Sequence, residues 1–245
     1  INSDGIKSRL MNLNVNDYDI DHKKVVIKKN NFDSKIKFVI LGDSSIKSMS
    51  DYIVENYQEE IEIYDFTSNG CVFIRDFYLE RLELNNVFKI DPGCNLEKNI
   101  EIQKFIETSE NFYLIYGGEM QVVLSGKKFY NEELNFFKKD IDAKRRFLSK
   151  NKNTIIEDEV IKTLDYLSNY FKKIYLIYPV PELGFNPNMV KGLKNLKQTD
   201  NLTIPKKAYK KRIERTEKLY EKINFKNIKK VKLENIFCIF NDKCI

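Results

Sequence analysis

Histidine is almost absent from this chain. Among 245 residues it occurs once, as His22 in the charged run Asp21-His22-Lys23-Lys24. A lone histidine in such a run reads as a solvated residue rather than a catalyst. No CxxC pair and no Cys/His cluster is present, so a zinc site has no ligand set, and the reading needs neither metal nor other cofactor. Long apolar runs are missing as well. None approaches the roughly 20 residues that cross a bilayer, and no signal peptide is visible. Tandem repeats and low-complexity tracts are absent. The net charge is only +6, with Lys and Arg mixed among Asp and Glu. Nucleic-acid binding needs a clustered basic face and a recognisable module; with neither present, nucleic acid is not an expected partner. Cysteine is sparse but even in number: Cys71, Cys94, Cys238 and Cys244. The spacings fit two disulfides, Cys71–Cys94 and Cys238–Cys244, in an oxidising compartment. They fit equally four buried thiols in a reducing one.

What is present is a chain long enough for one large domain with a sizeable core. It begins on Ile1 and ends on Cys244-Ile245 directly after a strand-like run, which reads as a segment of a longer protein. Residues 1–35 are polar and irregular and are expected to be a lead-in or linker; residues 36–245 are expected to form the domain. The first strong element is Phe38-Val39-Ile40-Leu41, four apolar residues in a row, which predicts a strand buried on both faces. A helix follows at once, with Ile46, Met49, Ile53 and Tyr57 on one face. Further strands are predicted at Ile61–Phe66, Phe112–Tyr116 and Ile174–Tyr178, and late strand character at Asn227–Lys232 and Ile236–Phe240. Helices are predicted at Leu96–Glu107 (Leu96, Ile100 and Ile106 inward), Glu157–Lys172, and Pro205–Ile223 (Tyr209, Ile213, Tyr220 and Ile223 on one face). Val122–Leu124 reads as a short strand extension, residues 76–95 as irregular, and residues 127–156 as a partly helical surface excursion of unassigned role. The alternation of strand and helix predicts an α/β fold: a three-layer α/β/α sandwich around a mainly parallel sheet of about five strands.

Chemistry is expected where the first strand ends. Gly42 permits a sharp exit from the sheet, and Asp43 and Ser44 then stand at a helix N-terminus. Open α/β sheets bind ligands at that edge, and free N–H groups there hold anions, including an oxyanion. Ser44 is the candidate nucleophile, with Gly42 and Asp43 shaping the turn; the competing reading is that Asp43 and Ser44 only cap the helix. The loop Thr67-Ser68-Asn69-Gly70 ends the second strand on the same side, which makes the N–H groups of Ser44 and Gly70 candidate oxyanion donors. Pro179, Pro181 and Glu182, in a proline-stiffened loop after the fourth strand, are candidate substrate-rim residues.

Several of these stretches share a family likeness. Val39-Ile40-Leu41-Gly42-Asp43-Ser44 resembles the first sequence block of SGNH (GDSL-like) hydrolases, in which the serine is nucleophilic. Tyr175-Leu176-Ile177-Tyr178-Pro179-Val180-Pro181-Glu182-Leu183-Gly184-Phe185-Asn186 resembles the strand and proline loop of the SGNH domain fused behind the membrane domain of type 3 acyltransferases. That family O-acetylates polysaccharides, lipopolysaccharide included. Asp4-Gly5-Ile6-Lys7-Ser8-Arg9 resembles the segment that follows the membrane part. Cys71 and Cys94, the latter before Asn95-Leu96-Glu97-Lys98-Asn99-Ile100, resemble that domain's cysteine pair, and Cys238 with Cys244 a second pair. The resemblance implies an SGNH hydrolase-like, flavodoxin-like sandwich with both disulfides formed. It places the domain on the periplasmic or extracellular side of a bacterial inner membrane, tethered through an N-terminal membrane domain.

The implied activity is acyl transfer. An upstream membrane domain delivers an acyl group, most simply acetyl; Ser44 accepts it as an ester and passes it to a hydroxyl of a cell-surface polysaccharide. Two alternatives stand beside it: a stand-alone SGNH esterase acting on acylated sugars or lipids, and a non-catalytic glycan-binding α/β module. The chain departs from the pattern in two places. The third-block asparagine, an oxyanion donor in related hydrolases, has no match in Tyr116-Gly117-Gly118-Glu119-Met120. The Asp-x-x-His block that supplies the base and its orienting acid should follow the Cys238–Cys244 region, and it is expected beyond these 245 residues; His22 lies at the wrong end to match it. A serine without its base is a poor nucleophile, so the isolated chain is expected to be nearly inactive.

Overall fold

The computed structural model describes residues 27–28, 36–57, 60–83, 86–127, 145–151, 153–181, 204–238 and 243–244. Its centre is the apolar run identified above. Strand β2 (Ile36–Leu41) carries Val39, Ile40 and Leu41, all fully buried. Strand β3 (Ile61–Asp65) pairs parallel on one side and β6 (Tyr113–Tyr116) parallel on the other. Strand β8 (Lys173–Ile177) extends the parallel set beside β6, and β10 (Ile228–Val231) closes it at one edge. At the other edge the two-residue β1 (Ile27–Lys28), from within the expected lead-in, runs antiparallel to β3. The sheet order is therefore β1-β3-β2-β6-β8-β10, with five parallel strands.

A parallel sheet must be covered on both faces, and side chains alternate between them along each strand. Val39, Leu41, Leu114, Tyr116, Ile174 and Leu176 point to one side. They pack with helices α2 (Leu96–Ile106), α4 (Ile156–Ser168) and α5 (Lys206–Glu221) through Ile102, Ile106, Val160, Leu164, Leu167, Leu219 and Tyr220. Ile40, Ile63, Ile115 and Ile177 point to the other side and meet Ile46 and Val54 of α1 (Ser44–Tyr57). Leu233, just before the single-turn α6 (Glu234–Phe237), completes that cluster. The predicted three-layer sandwich is thus the fold. No described helix is long and apolar enough to cross a membrane.

Several sequence expectations need correction. Residues 76–95 and the excursion 127–156 contribute strands β4 (Phe77–Leu82), β5 (Phe88–Ile90) and β7 (Arg145–Ser149), which form a separate antiparallel sheet in the order β5-β4-β7. Its polarity hid it. Glu80 faces Arg146 across the pairing and forms an ion pair with it at 2.6 Å, so two charged residues occupy ladder positions that pattern reading assigns to a loop. Val122–Leu124 lie in helix α3 (Met120–Ser125), whose residues are almost all buried and so show no period. Ile236 lies in α6 rather than a strand. In α2 the inward face is Asn99, Ile102 and Ile106, while Ile100 is 51% exposed. Asn99 reaches inward because its amide donates to the carbonyls of Ile74 and Phe77, at 3.2 and 2.6 Å. In α1, likewise, Ser50 is buried with its hydroxyl on Asp65 Oδ2 at 2.7 Å, and Tyr57 is exposed. A polar residue with a partner can take a core position, and the apolar stripe then shifts.

Both cystine bridges are formed. Cys71–Cys94 ties the loop after β3 to the start of α2, and Cys238–Cys244 draws β11 (Lys243–Cys244) towards α6. Strand β11 pairs antiparallel with β9 (Ile204–Pro205), from which α5 departs.

Candidate active site

The carboxyl ends of β2, β3, β6 and β8 share one rim, because these strands are parallel. Backbone bonds knit the loops that leave them. Ser68 N–H donates to the Gly42 carbonyl at 3.1 Å, and Gly117 N–H donates to the Leu41 carbonyl at 3.2 Å. The loops pass so close that a side chain at position 42 would put its Cβ 2.6 Å from the Gly117 carbonyl oxygen. Glycine is required there by backbone proximity.

Asp43 is fully buried at the centre of this arrangement. Its Oδ1 accepts the Ser45 N–H at 2.9 Å and the Ser45 hydroxyl at 2.6 Å, and its Oδ2 accepts the Glu119 N–H at 2.6 Å. The first contact caps α1; the third reaches across to the loop after β6. Burial pushes the Asp43 carboxyl above the usual aspartate range, a rise that the three donated hydrogen bonds only partly offset. The capping reading thus holds for Asp43 and not for its neighbour. Ser44, the first residue of α1, is exposed, and neither its N–H nor its hydroxyl donates to any described residue.

Gly70 sits on the same rim in a four-residue turn closed by Cys71 N–H on the Ser68 carbonyl at 3.1 Å. Its φ of +63° is a region that favours glycine. The Gly70 N–H donates to no described residue. The structure therefore brings Gly42, Asp43, Ser44 and Gly70 to one edge. Pro179 and Pro181 follow β8 on that edge but are buried, and the Pro179 carbonyl accepts the Tyr209 hydroxyl at 2.8 Å. Glu182 and His22 lie outside the described residues.

Two residues at the rim were not singled out from the sequence. Glu119 stands in the turn that corresponds to the third block, at Tyr116–Met120; its N–H donates to Asp43, and its carboxylate pairs with Arg145 at 2.9 Å. Arg145, on β7, is almost wholly buried and also donates to the Gly70 carbonyl at 3.1 Å. No local motif announces it, since its partners are 26 and 75 positions away.

Neither the curated proteins nor the solved structures contain a match to this chain. A family model does match, across residues 15–245: the SGNH domain fused to AT3 domains, AT3 being acyltransferase-3. The match covers nearly the whole chain, and the sandwich fold agrees with it. The chain belongs to this family of SGNH domains and is a module of the SGNH esterase and acyl-transfer type.

Proposed function

We propose that this chain is the extracytoplasmic half of an O-acyltransferase, and that it relays an acyl group, most simply acetyl, through Ser44 to a hydroxyl of a cell-surface polysaccharide. The observation that carries the reading is the exposed Ser44 hydroxyl at the start of α1, on the same rim as the Gly70 N–H, which donates to no described residue. In the first step the Ser44 oxygen attacks the carbonyl carbon of the donor ester. Its proton passes to a base, and the base returns it to the departing donor oxygen. The N–H groups of Ser44 and Gly70 hold the negative oxygen of the tetrahedral intermediate. In the second step the acceptor hydroxyl attacks the Ser44 ester, its proton follows the same route, and Ser44 is regenerated.

Asp43 is a turn-shaping residue in this scheme. Its carboxylate is committed to Ser45 and Glu119, so it does not orient a base. The base is proposed to be the histidine of a downstream Asp-x-x-His block, as the family likeness implies. The donor is proposed to be the AT3 membrane domain named in the family description. An extracytoplasmic position is supported by that fusion and by the two disulfides.

The test uses the complete gene product with an aryl acetate as donor and an oligosaccharide as acceptor. Acid quenching and peptide mass analysis are expected to find acetyl on Ser44, and Ser44→Ala is expected to lower transfer by about 10³-fold or more. Transfer that survives Ser44→Ala would remove the reading. Acetyl-Ser44 that passes only to water would favour the esterase within the same family.

A further inference from the structure

We infer that two arginines of the small antiparallel sheet, Arg145 and Arg81, are positioning residues that aim the Gly70 N–H at the reacting oxygen; this rests on the serine relay proposed above. The pair are cross-strand partners in the β4–β7 ladder, so both side chains leave the same face at the same level. Each takes one of two successive carbonyls in the turn after β3. Arg81 Nη2 donates to the Asn69 carbonyl, and Arg145 Nη1 donates to the Gly70 carbonyl at 3.1 Å.

The first contact fixes the amide. Asn69 C=O and Gly70 N–H belong to one peptide unit, and no cis peptide occurs among the described residues. In a trans unit the two bonds point in opposite directions. Holding the carbonyl against Arg81 therefore turns the Gly70 N–H away from the small sheet. The second contact holds the following unit, so the peptide cannot flip about Gly70. Both arginines are anchored in turn. Arg81 Nε is paired with Asp91, whose Oδ1 accepts Gly93 N–H at 2.7 Å. Arg145 Nη2 is paired with Glu119 at 2.9 Å, and Glu119 N–H is held by Asp43 beside Ser44. The chain of contacts Ser45–Asp43–Glu119–Arg145–Gly70 links the two sides of the proposed oxyanion site. It also gives β7 a role, since that strand delivers Arg145. A Cβ on Gly70 would lie 1.8 Å from Arg145 Nη1, so a side chain there would displace the guanidinium from its place. Lysine is not an equivalent, because one ammonium cannot reproduce the guanidinium's two-sided geometry.

The experiment has two arms. In the isotopically labelled chain, backbone ¹⁵N relaxation is expected to give Gly70 an order parameter near the rigid value of about 0.85, falling below about 0.6 in Arg145→Gln and Arg81→Gln. In the complete gene product, acylation of Ser44 by an aryl acetate is expected to slow by about 10²-fold in Arg145→Gln with KM within about twofold, as for loss of an oxyanion donor. Arg145→Ala is expected to regain roughly tenfold on addition of methylguanidinium, which restores the charged donor; a general folding defect would not respond. If Arg145→Gln unfolds, Arg145→Lys gives the same comparison with the charge kept. A Gly70 amide that stays rigid in these variants, an unchanged acylation rate, or a loss confined to KM overturns the inference. Full activity in Ser44→Ala overturns the serine relay instead, and with it the catalytic half of this inference, while the relaxation arm still decides whether the arginines hold the loop.

Discussion

Asp43 shows how one residue can serve two loops. Its buried carboxylate caps α1 through Ser45 and holds the turn after β6 through Glu119 N–H. Asparagine at this position keeps one oxygen but turns an amide N–H towards the Glu119 donor. We expect Asp43→Asn to destabilise the fold by about 1–3 kcal/mol, the cost of a buried donor left without its acceptor. The pH dependence gives a second check. Burial raises the Asp43 carboxyl in the folded chain, so between the ordinary aspartate value and the raised one the folded state binds more protons than the unfolded state. Wild-type stability therefore loses an Asp43 contribution as pH rises through that window, and Asp43→Asn has no such loss. The stability difference between them, read from urea unfolding at a series of pH values, should shrink as pH climbs; a gap that widens contradicts the assignment. The Gly42-Asp43-Ser44 sequence was legible because strand exit, cap and hydroxyl are adjacent in the chain. Arg145 was not, because contacts across 75 positions leave no local trace.

At the level of elements, legibility followed burial. The strands at Val39–Leu41, Leu114–Tyr116 and Ile174–Ile177 read directly as apolar runs, because a covered parallel sheet needs no polar alternation. The small sheet did not, since β7 opens on Arg145-Arg146 and is held partly by charge pairing to β4. The inward faces of α1 and α2 depart from the apolar stripe where Asn99 and Ser50 take buried positions through hydrogen bonds. The small sheet joins the rim through the Cys71–Cys94 bridge as well as the arginines. Cys71 follows Gly70, and the Cys94 carbonyl accepts the Leu79 N–H of β4 at 2.9 Å. The bridge closes a loop of sequence separation 23. Replacing both cysteines by serine is expected to remove about 3 kcal/mol and to lower Tm by roughly 6–12 °C in a calorimetric scan. The Cys238/Cys244 pair closes a separation of only 6 and should lose less when replaced. Equal losses, or a larger one at the shorter loop, would show that the first bridge is not the main staple of the rim.

In the whole molecule, these contacts divide the chain into a rigid sheet and a smaller body that carries part of the site. Strands β2 and β6 are covered on both faces by the two large clusters, and their amides lie in continuous parallel ladders. The small sheet has three strands, and β5 presents Lys89 and Ile90 to solvent. Among the described residues it meets the rim through side chains rather than through a shared ladder. Opening free energies should therefore differ. Amide exchange in rising denaturant is expected to release Val39–Leu41 and Leu114–Tyr116 only by global unfolding. Phe77–Leu82 of β4 should exchange through a lower-energy opening, together with Cys71 N–H. The turn at Gly70 would then open with the small sheet and not with β3, although β3 is its neighbour in sequence. A single opening energy for all these amides would make the rim part of the main sheet. Coincidence of the Cys71 amide with β3 alone would detach the turn from its arginines. The grouping expected here means that the orientation of an amide on the main rim is decided by a second sheet, reached through long-range side-chain contacts.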